Sequence, residues 1–228
     1  MKLEERSYST KSLRPRPFVH SEEDGSLLVI ATSWGQPEHA QLVTEEVVKY
    51  VNAAKSDVEV TSPFEFMTCL TDEVNYLRIG LLIANDILYR GENRSEYFSG
   101  VEVLAFFKRG QQLSWAQVGS PNVFLKRSER SLQPLSVVRE MSEELFSSGA
   151  LMPPMPANLL GLDPTCYIQC GHTSIAPSDQ VVLLAGPTVP KTLWNMDAGS
   201  KNLQKLSDKI IQEEPESPFW LGLLNFNS

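Results

Sequence analysis

Apolar residues in this chain recur in two rhythms, and the predicted elements follow from them. In "SLLVIATSWG" the apolar run from Leu27 to Ala31, closed by Gly35, predicts a buried strand. From Pro37 to Lys55 the spacing changes to threes and fours, with Ala40, Val43, Val47, Val48 and Val51 on one face of a helix. A second helix is predicted from about Thr71, its N-cap, to Tyr89, with Val74, Leu77, Leu81, Ala84 and Leu88 as its core stripe. "VEVTSPFEFM" between the helices is ambiguous. Strands follow at 101–108, 112–118 and 122–127, joined by the turns Lys108-Arg109-Gly110 and Gly119-Ser120-Pro121. Residues 136 to 149 read as a short helix or an irregular insertion. "LMPPMPANLLGLDP" reads as a Pro-rich loop with a small knot at Asn158 to Leu162. Two more strands flank Pro177-Ser178-Asp179, a short helix carries Leu203, Leu206 and Ile210 on one face, and "PFWLGLLNF" is a terminal strand.

Long helices among meandering strands, without βα alternation, predict an α+β fold: two antiparallel sheets face to face with helices outside. Residues 1–17, with Lys2, Arg6, Lys11, Arg14 and Arg16 against Glu4 and Glu5, read as a polar arm, and 18–228 as a single domain. The net charge of -8 and pI near 5.0 speak against nucleic acid or an anionic membrane as the main partner. Three cysteines make no disulfide framework. No apolar run approaches the ~20 residues of a membrane span, and the N-terminus has no apolar h-region. A cytoplasmic location is the expectation.

"VVLLAGPTVP" brings a buried strand to a sharp turn where enzymes often place a carboxylate or nucleophile, yet Ala185, Gly186, Pro187 and Thr188 supply neither. Several segments in order resemble the metal-dependent protein phosphatases of the 2C (PPM) type. "APSDQVVLLAGPTVP" is similar to the strand that ends in Ser-Asp-Gly, and "SWAQVGSPNVFLKR" to the pair containing "ANVGDSRAYL". "LLVIATSWGQPEHAQLVTEEVV" is similar to the strand, Asp-Gly turn and first helix. "ANLLGLDP" and "PFWLGLLNF" resemble the late Leu-Gly element and the last strand. The resemblance spans roughly residues 18 to 227 and implies a four-layer α-β-β-α sandwich. It also implies two manganese or magnesium ions held largely by aspartates, with a metal-bound water attacking a phosphoryl group.

Position by position, those aspartates are missing. Thr32-Ser33 stands for Asp-Gly in the first turn, Pro187-Thr188 for Asp-Gly in the late one, and Ser217-Pro218 for the acidic pair of the last strand. Gly119-Ser120 lacks the acid of "GDSR", and Pro15 to His20 contains none. Hard divalent ions need charged oxygen donors, so no cofactor is expected. The resemblance then implies a pseudophosphatase: a binding or regulatory module with a protein partner, including a phosphoprotein, and a candidate face of Thr32, Ser33, Trp34, Gly119, Ser120, Pro187 and Thr188. The alternative is an active serine/threonine phosphatase or other phosphoester hydrolase with a displaced manganese or magnesium site, or one using Glu22, Glu23 and Asp24. A structural subunit that forms homo-oligomers through a sheet edge or helix face is a third reading.

Other constellations carry less. Cys166, Cys170 and His172 fall on one face of a strand, but residues four apart lie ~13 Å from each other, too far to share a zinc ion. They read as core-facing, as does Cys69. His20, His39 and His172 are the histidines, and spacing places none beside a serine. Lys126, Arg127 and Arg130 form a solvated charge run. Trp34 and Trp194 read equally as partner anchors and as fillers of the space left by absent ions.

Overall fold

The computed structural model describes residues 1–9, 14–56, 62–127, 130–138, 140–141, 154–196 and 202–226. Among them are ten strands: β1 (Lys2–Tyr8), β2 (Phe18–Ser21), β3 (Leu27–Trp34), β4 (Gly100–Arg109), β5 (Gln112–Val118), β6 (Asn122–Lys126), β7 (Gln133–Ser136), β8 (Gln169–Ser174), β9 (Gln180–Ala185) and β10 (Phe219–Asn225). The helices are α1 (Glu38–Ser56), α2 (Asp72–Ile87), the four-residue α3 (Lys191–Trp194) and α4 (Leu203–Glu213). None is long and apolar enough to cross a membrane. The chain divides into two units: 1–16, 120–157 and 176–228 in the first, and 17–119 and 158–175 in the second.

The second unit is a five-stranded antiparallel sheet in the order β2-β3-β4-β5-β8. Leu27 to Ala31 are all at most 2% exposed, so both faces of β3 are removed from solvent and the uninterrupted apolar run is explained. Leu27, Val29, Ala31, Val103, Ala105 and Ala116 pack against Val43, Val47 and Val51 of α1 and Leu77, Leu81 and Ala84 of α2. The α2 stripe read from the sequence is at most 1% exposed throughout. Each large aliphatic side chain so buried contributes roughly 1.5–3 kcal/mol. Thr71 caps α2 by accepting from Val74 N.

The helix does not stop cleanly. It widens over Leu88–Glu92, where Asn93 N donates to Leu88 O at 2.9 Å. The Asn93 side chain then donates to Ser99 O and Gly161 O, both at 2.8 Å, and accepts from Phe98 N at 2.9 Å. Gly161 N donates in turn to Asn85 Oδ1 at 2.8 Å. This is the knot expected near 158–162, and Leu160 completes it by bridging Val101. Gly161 has φ +88°, and a Cβ there would lie 2.4 Å from Leu88 Cδ2, so only glycine fits.

The first unit is a second five-stranded antiparallel sheet, β1-β10-β9-β6-β7. The polar start of the chain thus supplies an edge strand, paired from Lys2–Asn225 to Tyr8–Phe219. Phe124, Val182, Leu184, Leu221 and Leu223 pack with Leu193, Met196, Leu206 and Ile210. β5 and β6 follow each other in sequence but belong to different sheets, so Gly119-Ser120-Pro121 is a crossing between sheets rather than a hairpin turn. The same is true of Pro177-Ser178-Asp179 between β8 and β9. The insertion expected at 136–149 starts with the end of β7, and 142–150 lie outside the described residues.

Replacing Asn93 with Ala removes four side-chain bonds at once, to Ser99 O and Gly161 O and from Phe98 N and Ser99 N. We expect a loss of about 3 kcal/mol with an unchanged denaturant slope, measured by urea unfolding.

Candidate functional site

The seven candidate residues divide between the units. In the second, Thr32, Ser33, Trp34 and Gly119 gather around a residue the sequence reading passed over, Glu102. Glu102 is 1% exposed and lies directly across the β3–β4 ladder from Thr32. Its Oε2 accepts from Trp34 Nε1 at 2.9 Å. Gly119 has φ +71°, and a Cβ there would sit 2.6 Å from Glu102 Cγ and 2.7 Å from Asn158 O, so the carboxylate lies over a bare backbone. Ser33 Oγ donates to Gln36 O at 2.6 Å, which fixes the turn into α1. A signal for Glu102 was present: one acid between two valines in an otherwise apolar strand is a charge with a buried task.

In the first unit, Ser120 is 4% exposed and its Oγ accepts from Arg14 Nη2 at 3.0 Å. Arg14 Nη1 also donates to Glu140. The Pro187-Thr188 turn is further along this unit, with Thr188 exposed. Thr188 Oγ1 donates to Glu214 Oε2 at 2.6 Å. Glu213 receives Lys191 N and Thr192 N, each at 2.8 Å, and the Thr192 hydroxyl at 2.5 Å. These bonds clasp α3 to the end of α4. Trp194, at the end of α3, is 46% exposed and packs edge-on against Phe124 with centroids 5.4 Å apart.

The ligand set does not fit two divalent cations. Of the residues that the sequence resemblance matches to PPM acids, Pro187 has no side-chain oxygen and the Ser120 hydroxyl accepts from Arg14; beside them, Ser33 is engaged with Gln36 O and Thr188 with Glu214. Neutral hydroxyls are also poor donors for hard ions. Among the described residues, no group of three or more His, Cys, Asp and Glu is arranged to hold a metal. Two acids of the β2–β3 turn, Glu22 and Asp24, are committed elsewhere. Burial alone would raise the Glu22 carboxyl, but bonds from Asn52, Lys55 and Ser26 and the Lys55 charge outweigh it and hold it below its usual range. Asp24 accepts from Ser26 N at 2.8 Å.

Three sequence expectations need correction. Lys126, read as part of a solvated charge run, is 8% exposed, because it lies on β6 and its Nζ donates to Arg130 O at 2.8 Å. His39 does meet a serine: Nδ1 contacts Ser99 Oγ, and Nε2 is 3.6 Å from Glu92 Oε2. The order serine–histidine–acid is that of a hydrolase triad, but Ser99 is 4% exposed and offers no hydroxyl to a substrate. The chain of contacts ties the start of α1 to the segment before β4, and 60 residues of separation hid it from any spacing argument. Cys69, expected in the core, is exposed because it sits in the turn before the α2 cap and not on a periodic element. Cys166 and Cys170 are half-buried and pack on the second unit's core, and burial pushes the Cys166 thiol up to about 11. Of the tryptophans, Trp115 and Trp220 are buried, and only Trp194 is broadly exposed.

Compared over its whole length, the chain matches solved bacterial phosphatases. The Mycobacterium tuberculosis serine/threonine phosphatase PstP superimposes with a TM-score of 0.63 at 12% identity, covering 99% of both chains. A bacterial serine phosphatase gives 0.66 at 14%, covering 100% of this chain and 99% of that one. Stp1 from Staphylococcus aureus gives 0.61 at 13%, covering 100% and 95%. The chain has the PPM-type phosphatase fold. The fold class expected from periodicity and resemblance is therefore the one found: two five-stranded antiparallel sheets with flanking helices. PstP has also been solved with two manganese ions. No protein-family model and no curated protein matches the chain by sequence.

Two measurements follow from the local chemistry. Ellman's reagent at pH 8 should label Cys69 fast and Cys166 slowly, because a thiol near 11 is almost wholly protonated there. Bonds from the Thr192 hydroxyl and the Thr192 and Lys191 amides hold the Glu213 carboxyl below the usual carboxylate range. A depressed carboxyl stabilises the fold above its unfolded value and loses that contribution as pH falls through the folded one. The Thr192 amide resonance should shift with a midpoint below that of an ordinary glutamate, and Glu213→Gln should abolish that titration.

Proposed function

We propose that this domain is a pseudophosphatase: a PPM fold without the divalent ions or the phosphoryl-transfer chemistry of that family, acting by binding a protein partner in the cytoplasm. The observation that carries the reading is the state of the ligand positions. Thr32, Ser120 and Pro187 stand there in place of acids; the Ser120 hydroxyl is taken up by Arg14 and the neighbouring Ser33 and Thr188 hydroxyls by Gln36 O and Glu214, and the indole of Trp34 is tied to Glu102. A domain relieved of catalysis keeps the rigid scaffold and the loops it displays. Trp194 is the best-placed contact residue of the candidate region. It is a large, half-exposed aromatic on a short helix held by the Glu213 clasp, and a rigid aromatic anchor binds at low entropic cost. A phosphoprotein partner fits the ancestry of the fold.

The test is calorimetry with manganese and with magnesium on the purified chain, alongside hydrolysis of an aryl phosphate. The expected result is no binding tighter than about 1 mM and no metal-dependent turnover. Micromolar binding with turnover would replace this reading with that of an active phosphatase whose metal site is displaced.

A further inference from the structure

Three side chains from distant parts of the chain meet away from solvent in the first unit. Arg14 is 5% exposed, Ser120 4% and Glu140 3%. The guanidinium donates through Nη1 to Glu140 Oε1 and through Nη2 to Ser120 Oγ, across 126 and 106 residues of sequence. The backbone holds Glu140 in place as well: it bridges antiparallel to Pro156, and Met141 N donates to Met155 O at 2.9 Å. Ser120 stands where the matched PPM turn has an acid, so this turn has exchanged a carboxylate for a hydroxyl while a cation has come to lie on it.

A carboxylate this deeply buried is stable only if a positive charge faces it. In a binuclear phosphatase site the positive charge comes from solution and several acids hold it. Here it is covalently part of the chain, and the acid and the hydroxyl share it. Arginine suits this task better than lysine, because its planar fork holds two acceptors at once and it stays charged at any pH a protein meets. We infer that the Arg14 guanidinium is the resident cation of the Ser120 turn. It supplies internally the charge balance that metal ions supply in the metal-dependent phosphatases, and it makes the folding of this chain independent of divalent cations. The inference rests on the metal-free reading given above and adds the residue responsible. Its thermodynamic signature is distinct. A metal from solution stabilises by an amount that grows with its concentration, whereas a built-in guanidinium contributes a constant.

The experiment is thermal unfolding of the full chain as wild type, R14A, R14K, E140Q and R14A/E140Q, each in EDTA and in manganese. Wild type should unfold at the same temperature in both. R14A should lose about 10 °C, R14K less, and the double variant clearly less than the sum of the singles. Methylguanidinium should raise the midpoint of R14A but not that of R14A/E140Q. Should R14A fail to fold, R14K and E140Q still report the loss. If R14A stays within about 2 °C of wild type, or the two losses simply add, Arg14 is not the resident cation, while the metal-free reading stands. If manganese raises the wild-type midpoint, the metal-free reading itself falls.

Discussion

A strand buried on both faces can satisfy its backbone only through neighbours on both edges, and this constraint organises each unit. β3, β4 and β5 in one sheet, and β6, β9 and β10 in the other, are buried nearly throughout. Each therefore lies inside its sheet, and the polar or half-exposed β1, β2, β7 and β8 take the edges. β1 fits an edge because Arg6 bonds to Asp208, and Glu5 accepts from Trp220 Nε1. Once the central strands are paired, their ends are fixed, and the candidate turns sit at those ends.

Burial sets the terms for polar chemistry in the same way. Glu102 and Glu140 are each at most 3% exposed, and neither is tolerable alone. Glu102 receives the Trp34 indole and Glu140 the Arg14 guanidinium. A divalent site solves the problem of clustered buried acids by importing charge. This domain has few acids at the corresponding turns and answers each with a side chain of its own. In both pairs a hydrogen bond from the chain itself meets the buried carboxylate.

The helical stripes were readable because burial repeats every third or fourth residue and the sequence repeats with it: Val43, Val47 and Val51, then Leu77, Leu81 and Ala84. The strands were readable for the same reason, and the order of the motifs led to the fold. Most of what the candidate site contains was not readable. Spacing gave no hint that Trp34 would bond to Glu102, that Arg14 would be buried, or that His39 would touch Ser99. Nor did it reveal that β5 and β6, or β8 and β9, part company into different sheets.

By itself the sequence determined the α+β class, the core faces of α1, α2 and α4, and the non-acidic side chains of Thr32, Ser120 and Pro187. These are properties of residue type and local period, which a chain carries before it folds. Only the tertiary structure decided which charges are buried and what balances them. A salt bridge across 126 residues is a matter of distance in space, and a one-dimensional pattern contains no term for that.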